Sequence, residues 1–152
     1  MYRCRYCRRA PSNARYRHHR ADTSGSGRGI QTNAIGLSIG TGKANTQAII
    51  TAQGAGTYAA KIAASATIGG YTGWFLPSRD ELQLMHDVIG PGAKAPLTNI
   101  GKFALDNYWS SSVDPTSIGD YVWAIGFVSS TNGVQWRYHT WGIQPIRAIR
   151  AF

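Results

Sequence analysis

The side chains best suited to molecular recognition lie in one stretch near the carboxyl end, residues 134–142, which reads Val-Gln-Trp-Arg-Tyr-His-Thr-Trp-Gly. It holds more large aromatic rings than one face of a sheet can hide. Tyrosine, tryptophan and arginine dominate binding hot spots because they combine large rigid contact area with a polar tip. Aromatic faces also stack on sugar rings, and Arg137 can pair with a sulfate or a carboxylate. We therefore predict a binding surface, with ordinary strand packing as the alternative, formed by Gln135, Trp136, Arg137, Tyr138, His139 and Trp141.

Patterns typical of catalysis are absent from the sequence. Neither G-x-S-x-G nor H-E-x-x-H occurs, so the usual motifs of serine hydrolases and zinc proteases are missing. His86 and His139 are single histidines, for which a surface or partly packed role is the default. Asp80 and Glu81 form an acidic pair, but the cap of a helix explains both. We predict that the protein is not an enzyme.

A metal site is not expected either. Cys4 and Cys7 form a C-x-x-C, and the adjacent His18 and His19 follow it. Tetrahedral zinc needs converging ligands, with the histidines normally about three to five residues apart. Adjacent histidines point in divergent directions, so we predict two free thiols. Hard cations need several converging oxygens, and we predict no metal and no cofactor.

The net charge of +9 is concentrated at the amino end. Residues 1–29 carry eight arginines and one acid, with almost no aliphatic side chains, and residues 25–29 read Gly-Ser-Gly-Arg-Gly. Such a stretch cannot bury a core, and its glycines favour a flexible joint. We predict a basic, disordered tail at residues 1–29 and one folded domain at residues 30–152. Two alternatives for the tail are a miscalled start and a nucleic-acid-binding arm whose arginines contact phosphates.

The remaining composition is that of a globular domain. The chain has 152 residues, of which 43% are hydrophobic, and this length suffices to bury a core. No run of about 18 apolar residues is present, so we predict no membrane span. Residues 1–30 contain no apolar stretch typical of a secretory signal.

Helices are predicted in the first two thirds of the folded domain. Residues 45–52 form one, with Asn45 as the cap and Gly54 at its end, and residues 57–66 form an alanine-rich second. The clearest local signal is the pair Ser78 and Glu81, which has the spacing of a capping box. An apolar stripe at helical spacing follows it and ends before Gly90, formed by Leu82, Met85 and Ile89.

Strands are predicted after the helices, at residues 108–112, 121–128 and 134–140. Residues 121–128 alternate, so that Tyr121, Trp123 and Ile125 share one face. Asn132 and Gly133 supply a hairpin turn before the next strand. Helices first and antiparallel strands afterwards predict an α+β domain with two to three short helices and a small, mostly antiparallel sheet.

Four segments, in this order, carry a resemblance to a known family. They are Gly-Trp-Phe-Leu-Pro-Ser-Arg-Asp-Glu-Leu at 73–82, Tyr-Trp-Ser-Ser-Ser at 108–112, Trp-Ala-Ile-Gly-Phe at 123–127 and Pro-Ile-Arg-Ala-Ile-Arg-Ala-Phe at 145–152. Residues 39–46 are similar as well. From about residue 35 to its end, the chain resembles the bacterial and phage domain family typified by the C-terminal domain of the Legionella collagen-like adhesin.

The resemblance implies a C-type-lectin-like fold and a role in adhesion or ligand display outside the cell, at a cell surface or on a virion. The implied partner is a polysaccharide or a surface protein, a homo-oligomer is allowed, and nucleic acid enters only through residues 1–29. A phage or retroelement-diversified display protein is the alternative. The loop at 114–120 is implied to adjoin the aromatic stretch, which adds Asp114, Asp120 and Tyr121 to the binding residues. Scaffolding roles are implied for Trp74, Leu76, Pro77, Ser78, Glu81, Trp109, Trp123, Phe127, Arg147 and Arg150.

Three departures from related proteins qualify the resemblance. The family's Gly-rich, aliphatic first strand is missing, and an arginine-rich segment stands in its place, which predicts an unpaired sheet edge. The related formylglycine-generating enzymes depend on cysteines within the fold, whereas no cysteine follows Cys7 here. Calcium-dependent lectins carry Glu-Pro-Asn or Gln-Pro-Asp, whereas the sequence Gln-Pro-Ile at 144–146 lacks the acid.

Overall fold

The computed structural model describes residues 30–117, 119–128, 133–140 and 142–151, and the backbone of residues 15–17. Within these residues the chain is an α+β protein, as predicted. The elements are, in order, β1 (Arg15–Arg17), α1 (Gly42–Gln53), α2 (Ala59–Ser65), α3 (Arg79–Ile89), β2 (Asn107–Val113), β3 (Tyr121–Gly126), β4 (Gln135–His139) and β5 (Ile143–Pro145). None of the helices in this described part has the length and apolarity needed to cross a membrane.

The main sheet is antiparallel, with the strand order β2-β3-β4. Its strands occupy the predicted segments to within a few residues, and β3 shows the predicted alternation of side chains between two faces. On β3, Val122 and Ala124 point into the core and are fully buried, whereas Tyr121 and Trp123 on the other face are only half-buried. The two faces of β3 therefore have different environments.

Two apolar clusters hold the sheet against the helices. One packs Trp74, Leu76 and Trp109 against the inward face of β3. The other lies on the opposite face, where Leu82 and Met85 of α3 pack against Ile125 at the end of β3. Helix α3 thus covers the Ile125 end of this second face, and Arg79 at its start lies over the Trp123 ring.

Helix α3 begins as the capping box predicts. The Glu81 amide donates to Ser78 Oγ at 3.3 Å, and the Ser78 amide donates to Glu81 Oε2 at 2.7 Å. The second carboxylate oxygen of Glu81 accepts from the Gly40 amide at 2.9 Å. One side chain therefore fixes both the start of α3 and the loop before α1.

Helix α1 starts earlier than predicted, and Asn45 is not its cap. The N-cap residue is Thr41, which makes no capping hydrogen bond with its side chain. The buried Asn45 side chain instead accepts from the Gly36 amide at 3.1 Å and donates to the Gly36 carbonyl at 2.6 Å. Its amide also reaches Ser111 and Ser112 on β2, both at 3.4 Å, so a long-range network takes the place of a local cap.

Most of the residues with implied scaffolding roles are buried or nearly so: Trp74, Leu76, Pro77, Ser78, Glu81, Trp109, Phe127 and Arg147. Arg147 donates to the Lys102 carbonyl at 3.2 Å and lies over the Phe103 ring at 4.4 Å. Arg150 lies over the ring of Tyr71 at 4.5 Å. Trp123 and Arg150 differ from the others because they are only half-buried.

A second, two-stranded sheet joins β1 to β5 in antiparallel register, with Tyr16 opposite Gln144. Three residues of the predicted tail thus pair with a strand of the folded domain. The other residues of 1–29, including Cys4, Cys7, His18 and His19, lie outside the described residues. The boundary at residue 30 and the disorder of the tail stay predictions.

Candidate functional site

The candidate site is the face of β3 and β4 that α3 leaves uncovered. In the β3–β4 register, Tyr121 lies opposite His139 and Trp123 lies opposite Arg137. Residues directly opposite one another in an antiparallel pair project on the same face, with about 5 Å between their Cβ atoms. These four side chains therefore form one surface, which we call the β3–β4 platform.

Arg137 is held on the platform by a buried carboxylate. Its Nη1 donates to Asp114 Oδ2 at 2.8 Å, and the side chains are 56% and 4% exposed respectively. Asp114 directly follows β2, and its amide donates to the Tyr121 carbonyl at 3.0 Å. The acid is thus fixed by the sheet, while most of the guanidinium faces solvent.

The carboxyl of Asp114 is an ionised group in this setting. Burial alone raises its pKa, but hydrogen bonds outweigh that effect, and the net pKa lies below its ordinary value. The donors are the Arg137 guanidinium together with the amide and hydroxyl of Thr116, at 2.9 and 2.8 Å from Oδ1. Hydrogen bonds and an adjacent positive charge both favour the charged form of a carboxyl.

Tyr121 and His139 form a stacked pair at one end of the platform. Their ring centroids are 4.3 Å apart with the planes tilted by 34°. The Tyr121 hydroxyl and His139 Nε2 share a hydrogen bond of 3.1 Å. Each ring thereby restricts the rotation of the other, which presents a flat, preorganised surface of the kind that lowers the entropy lost on binding.

Trp123 and Arg79 complete the platform, and the sequence did not predict either as a binding residue. The Arg79 guanidinium lies over the Trp123 ring, 5.3 Å from its centroid, and Arg79 Nε donates to Asp80 Oδ1 at 2.8 Å. The Trp123 Nε1–H is shielded from solvent and has no hydrogen-bond partner among the described residues. The only available signal was the alternation that places Trp123 on the face of Tyr121.

The remaining predicted residues do not all join the platform. Tyr138 and Trp136 pair with Val122 and Ala124 and so project on the opposite face. Tyr138 is partly buried against Trp109, with ring centroids 5.9 Å apart, whereas Trp136 is 41% exposed.

Gln135 marks the border of the platform with α3, since its Nε2 donates to Gln83 Oε1 at 3.4 Å. Asp120 contributes backbone bonds, and its carbonyl accepts from the Thr140 amide at 2.9 Å. Trp141 lies outside the described residues. The predicted cluster of residues 134–142 is therefore divided between two faces of β4.

Comparison with protein-family models, with curated proteins and with solved structures finds no match at a significant level. What the platform can do must therefore be read from its own chemistry. Among the residues that the structure describes, no three His, Cys, Asp or Glu side chains cluster so that they could hold a metal ion. The platform offers ring faces for stacking and planar polar groups for hydrogen bonds.

Proposed function

We propose that this protein is a non-enzymatic binding or adhesion module that recognises a polysaccharide or a surface ligand through the β3–β4 platform. One observation carries the proposal. Tyr121, Trp123, Arg137 and His139 project from neighbouring strands on a single accessible face, and the buried Asp114 fixes the guanidinium among them. A preorganised set of rings with polar edges suits binding, because little conformational freedom remains to be lost.

A C-type-lectin-like fold is part of the same proposal. Its support is the order of the four family-like segments and the α+β arrangement of helices followed by antiparallel strands. With that fold we propose an extracellular, cell-surface or virion location. The platform and not the fold supports the proposed function, because one fold serves many functions.

The proposal is tested by replacing one residue at a time on the two faces of β4. Binding is measured to immobilised dextran, mannan, galactan and dextran sulfate. Tyr121→Ala and Arg137→Ala should each weaken binding by about tenfold, the effect expected when a tyrosine or an arginine of a binding hot spot is truncated. Trp136→Ala should change it by less than about twofold, because Trp136 projects on the opposite face.

Tyr71→Ala is the matched control for an aromatic ring outside the platform. Tyr71 is 43% exposed, and its backbone, which bonds to Ile68 and Trp74, is retained in the variant. Unchanged binding by folded Tyr121→Ala and Arg137→Ala would refute the proposed site. A loss of binding in Trp136→Ala alone would move the site to the other face of β4.

Nucleic-acid binding through the tail is a second candidate, favoured by the eight arginines and single acid of residues 1–29. Binding of this kind releases counterions and weakens steeply with salt. Replacing Arg3, Arg5, Arg8 and Arg9 by Gln should then reduce the affinity for a single-stranded DNA oligonucleotide and flatten its salt dependence. Equal affinity in the variant and the wild type would exclude the arginines as the cause.

A further inference from the structure

The two guanidinium groups on the platform are already paired with carboxylates. Arg137 Nη1 lies 2.8 Å from Asp114 Oδ2, and Arg79 Nε lies 2.8 Å from Asp80 Oδ1. Each pair presents hydrogen-bond donors to solvent but carries no net formal charge. The chain as a whole carries a net charge of +9, but these two pairs contribute nothing to it.

We infer that the platform selects a neutral, hydroxyl-bearing saccharide in preference to a polyanion. The inference rests on the proposed function and names its ligand class. Arg137 is 56% exposed and could offer a polyanion the donors that Asp114 does not use, but the negative charge of Asp114 lies 2.8 Å from its Nη1. Each carboxylate therefore offsets the attraction of its arginine for a sulfate, and a solvent-exposed ion pair contributes little by itself.

The rest of the platform has groups that suit a sugar. Arg79 lies over the Trp123 ring and His139 lies against the Tyr121 ring, so the platform combines aromatic rings with planar polar groups that can bond to hydroxyls. No exposed large aliphatic side chain belongs to the platform positions 121, 123, 137 and 139. Tyrosine, tryptophan and arginine are also enriched in protein interfaces, so the preference for a saccharide rests on the neutral pairing of the two arginines.

The contrast between neutral and sulfated ligands gives the test. Full-length protein is titrated with dextran, mannan and galactan, and with dextran sulfate, between about 50 and 500 mM NaCl. Platform binding is defined as the part that Tyr121→Ala removes and Tyr71→Ala retains, which separates it from any contribution of the tail. We expect platform binding to at least one neutral polymer, with an affinity that changes less than about twofold over this salt range.

Removing a compensating carboxylate should change the ligand preference. In Asp80→Asn the Arg79 charge is no longer matched, so the affinity for dextran sulfate should rise severalfold and its log-log salt slope should steepen by about one. Asp114→Asn should do the same through Arg137. Asp87→Asn is the matched control, since it removes the same formal charge from α3 at a carboxylate that contacts His86 rather than a platform arginine.

The outcomes separate the inference from the proposed function. Salt-insensitive platform binding to a neutral polymer, with a gain for dextran sulfate in Asp80→Asn but not in Asp87→Asn, supports both. Platform binding to dextran sulfate alone, weakened by salt in the wild type, overturns the inference and keeps the proposed function. Absence of platform binding to every polymer overturns both. Equal gains in Asp80→Asn and Asp87→Asn would show that the total charge decides, which also overturns the inference.

Discussion

Asp114 is the residue on which the geometry of the platform depends. Its carboxylate is buried at the end of β2 and accepts from Arg137 on β4 and from Thr116 in its own loop. A carboxylate bonded by several donors stays ionised and orients each of them. The loop, the sheet and the solvent-facing guanidinium are thus connected through one side chain.

This connection predicts a pH-dependent part of the stability. The folded pKa of Asp114 lies below its ordinary value, so the carboxyl contributes stability that is fully present above its unfolded pKa of about 3.9 and is lost as the pH falls through the folded pKa. The difference in unfolding free energy between wild type and Asp114→Asn should be constant above about pH 5 and should shrink below about pH 4. Urea denaturation at a series of pH values measures it.

Arg137→Ala is the companion variant in that series. It removes a hydrogen bond and a charge that lower the same pKa, so its difference from wild type should shrink over the same acidic range. Differences that stay constant from about pH 7 to about pH 3 in both variants would contradict the assignment of Asp114 as an ionised partner of Arg137.

At this scale the predicted binding stretch proved to be divided between two faces of the sheet. The stretch at residues 134–142 was predicted as one surface, yet strand alternation sends Trp136 and Tyr138 to the face opposite Arg137 and His139. Arg79 was missed because its contact with Trp123 joins α3 to β3 across 44 positions of chain. Contacts of that separation leave no local pattern to detect.

Among the elements, α3 is positioned by its capping box. Ser78 is fully buried, accepts from the Glu81 amide, and donates to the Ser38 carbonyl at 2.9 Å. Ser78→Ala should therefore lower the unfolding free energy by about 1–3 kcal/mol, because the cap is lost and the amide of the buried Glu81 loses its acceptor. Thermal or urea unfolding measures the loss.

Ser65→Ala is the matched control for that change. Ser65 lies at the exposed end of α2 and bonds only to the Ile62 carbonyl at 3.3 Å, so its replacement should change the stability by no more than about 0.5 kcal/mol. If Ser78→Ala were as mild as Ser65→Ala, the capping box would not be what positions α3.

The contact between α1 and the start of α3 is close enough to require glycine at position 42. A Cβ at Gly42 would lie 2.7 Å from the Ser78 amide nitrogen and 2.9 Å from the Leu76 carbonyl oxygen, and would also clash with Glu81. We expect Gly42→Ala to destabilise the protein by about 1–3 kcal/mol, although alanine favours helix. The neighbouring exposed Lys43→Ala should stay within about 0.5 kcal/mol, and equal stabilities of the two variants would rule out the close approach.

The elements show where local sequence rules succeed. The start of α3 was predicted to the residue because both partners of its cap lie within one turn. The start of α1 was wrong because Asn45 bonds to Ser111 and Ser112, which are 66 and 67 positions away. A side chain with distant partners cannot be distinguished from a cap by spacing alone.

At the scale of the whole molecule, the α+β arrangement followed from the order of helix-like and strand-like segments. The pairing of β1 with β5 did not, because Arg15–Arg17 has no apolar alternation and its partner strand is only three residues long. The extent of the platform depends on how far α3 covers β3. That coverage is decided by the packing of α3 on the sheet and not by a local sequence pattern. The sequence therefore predicted Tyr121, Arg137 and His139 as binding residues, but neither Trp123 nor Arg79 and not the boundary of the surface.

The most direct test of the account is to observe the indole N–H signals of the five tryptophans by NMR while dextran, mannan or galactan is added. Binding at the β3–β4 platform should shift the signal of Trp123, whose Nε1–H is buried beside Arg79, and leave those of the core residues Trp74 and Trp109 in place. Saturating binding that shifts the Trp136 signal and leaves Trp123 unchanged would contradict the platform as the binding site.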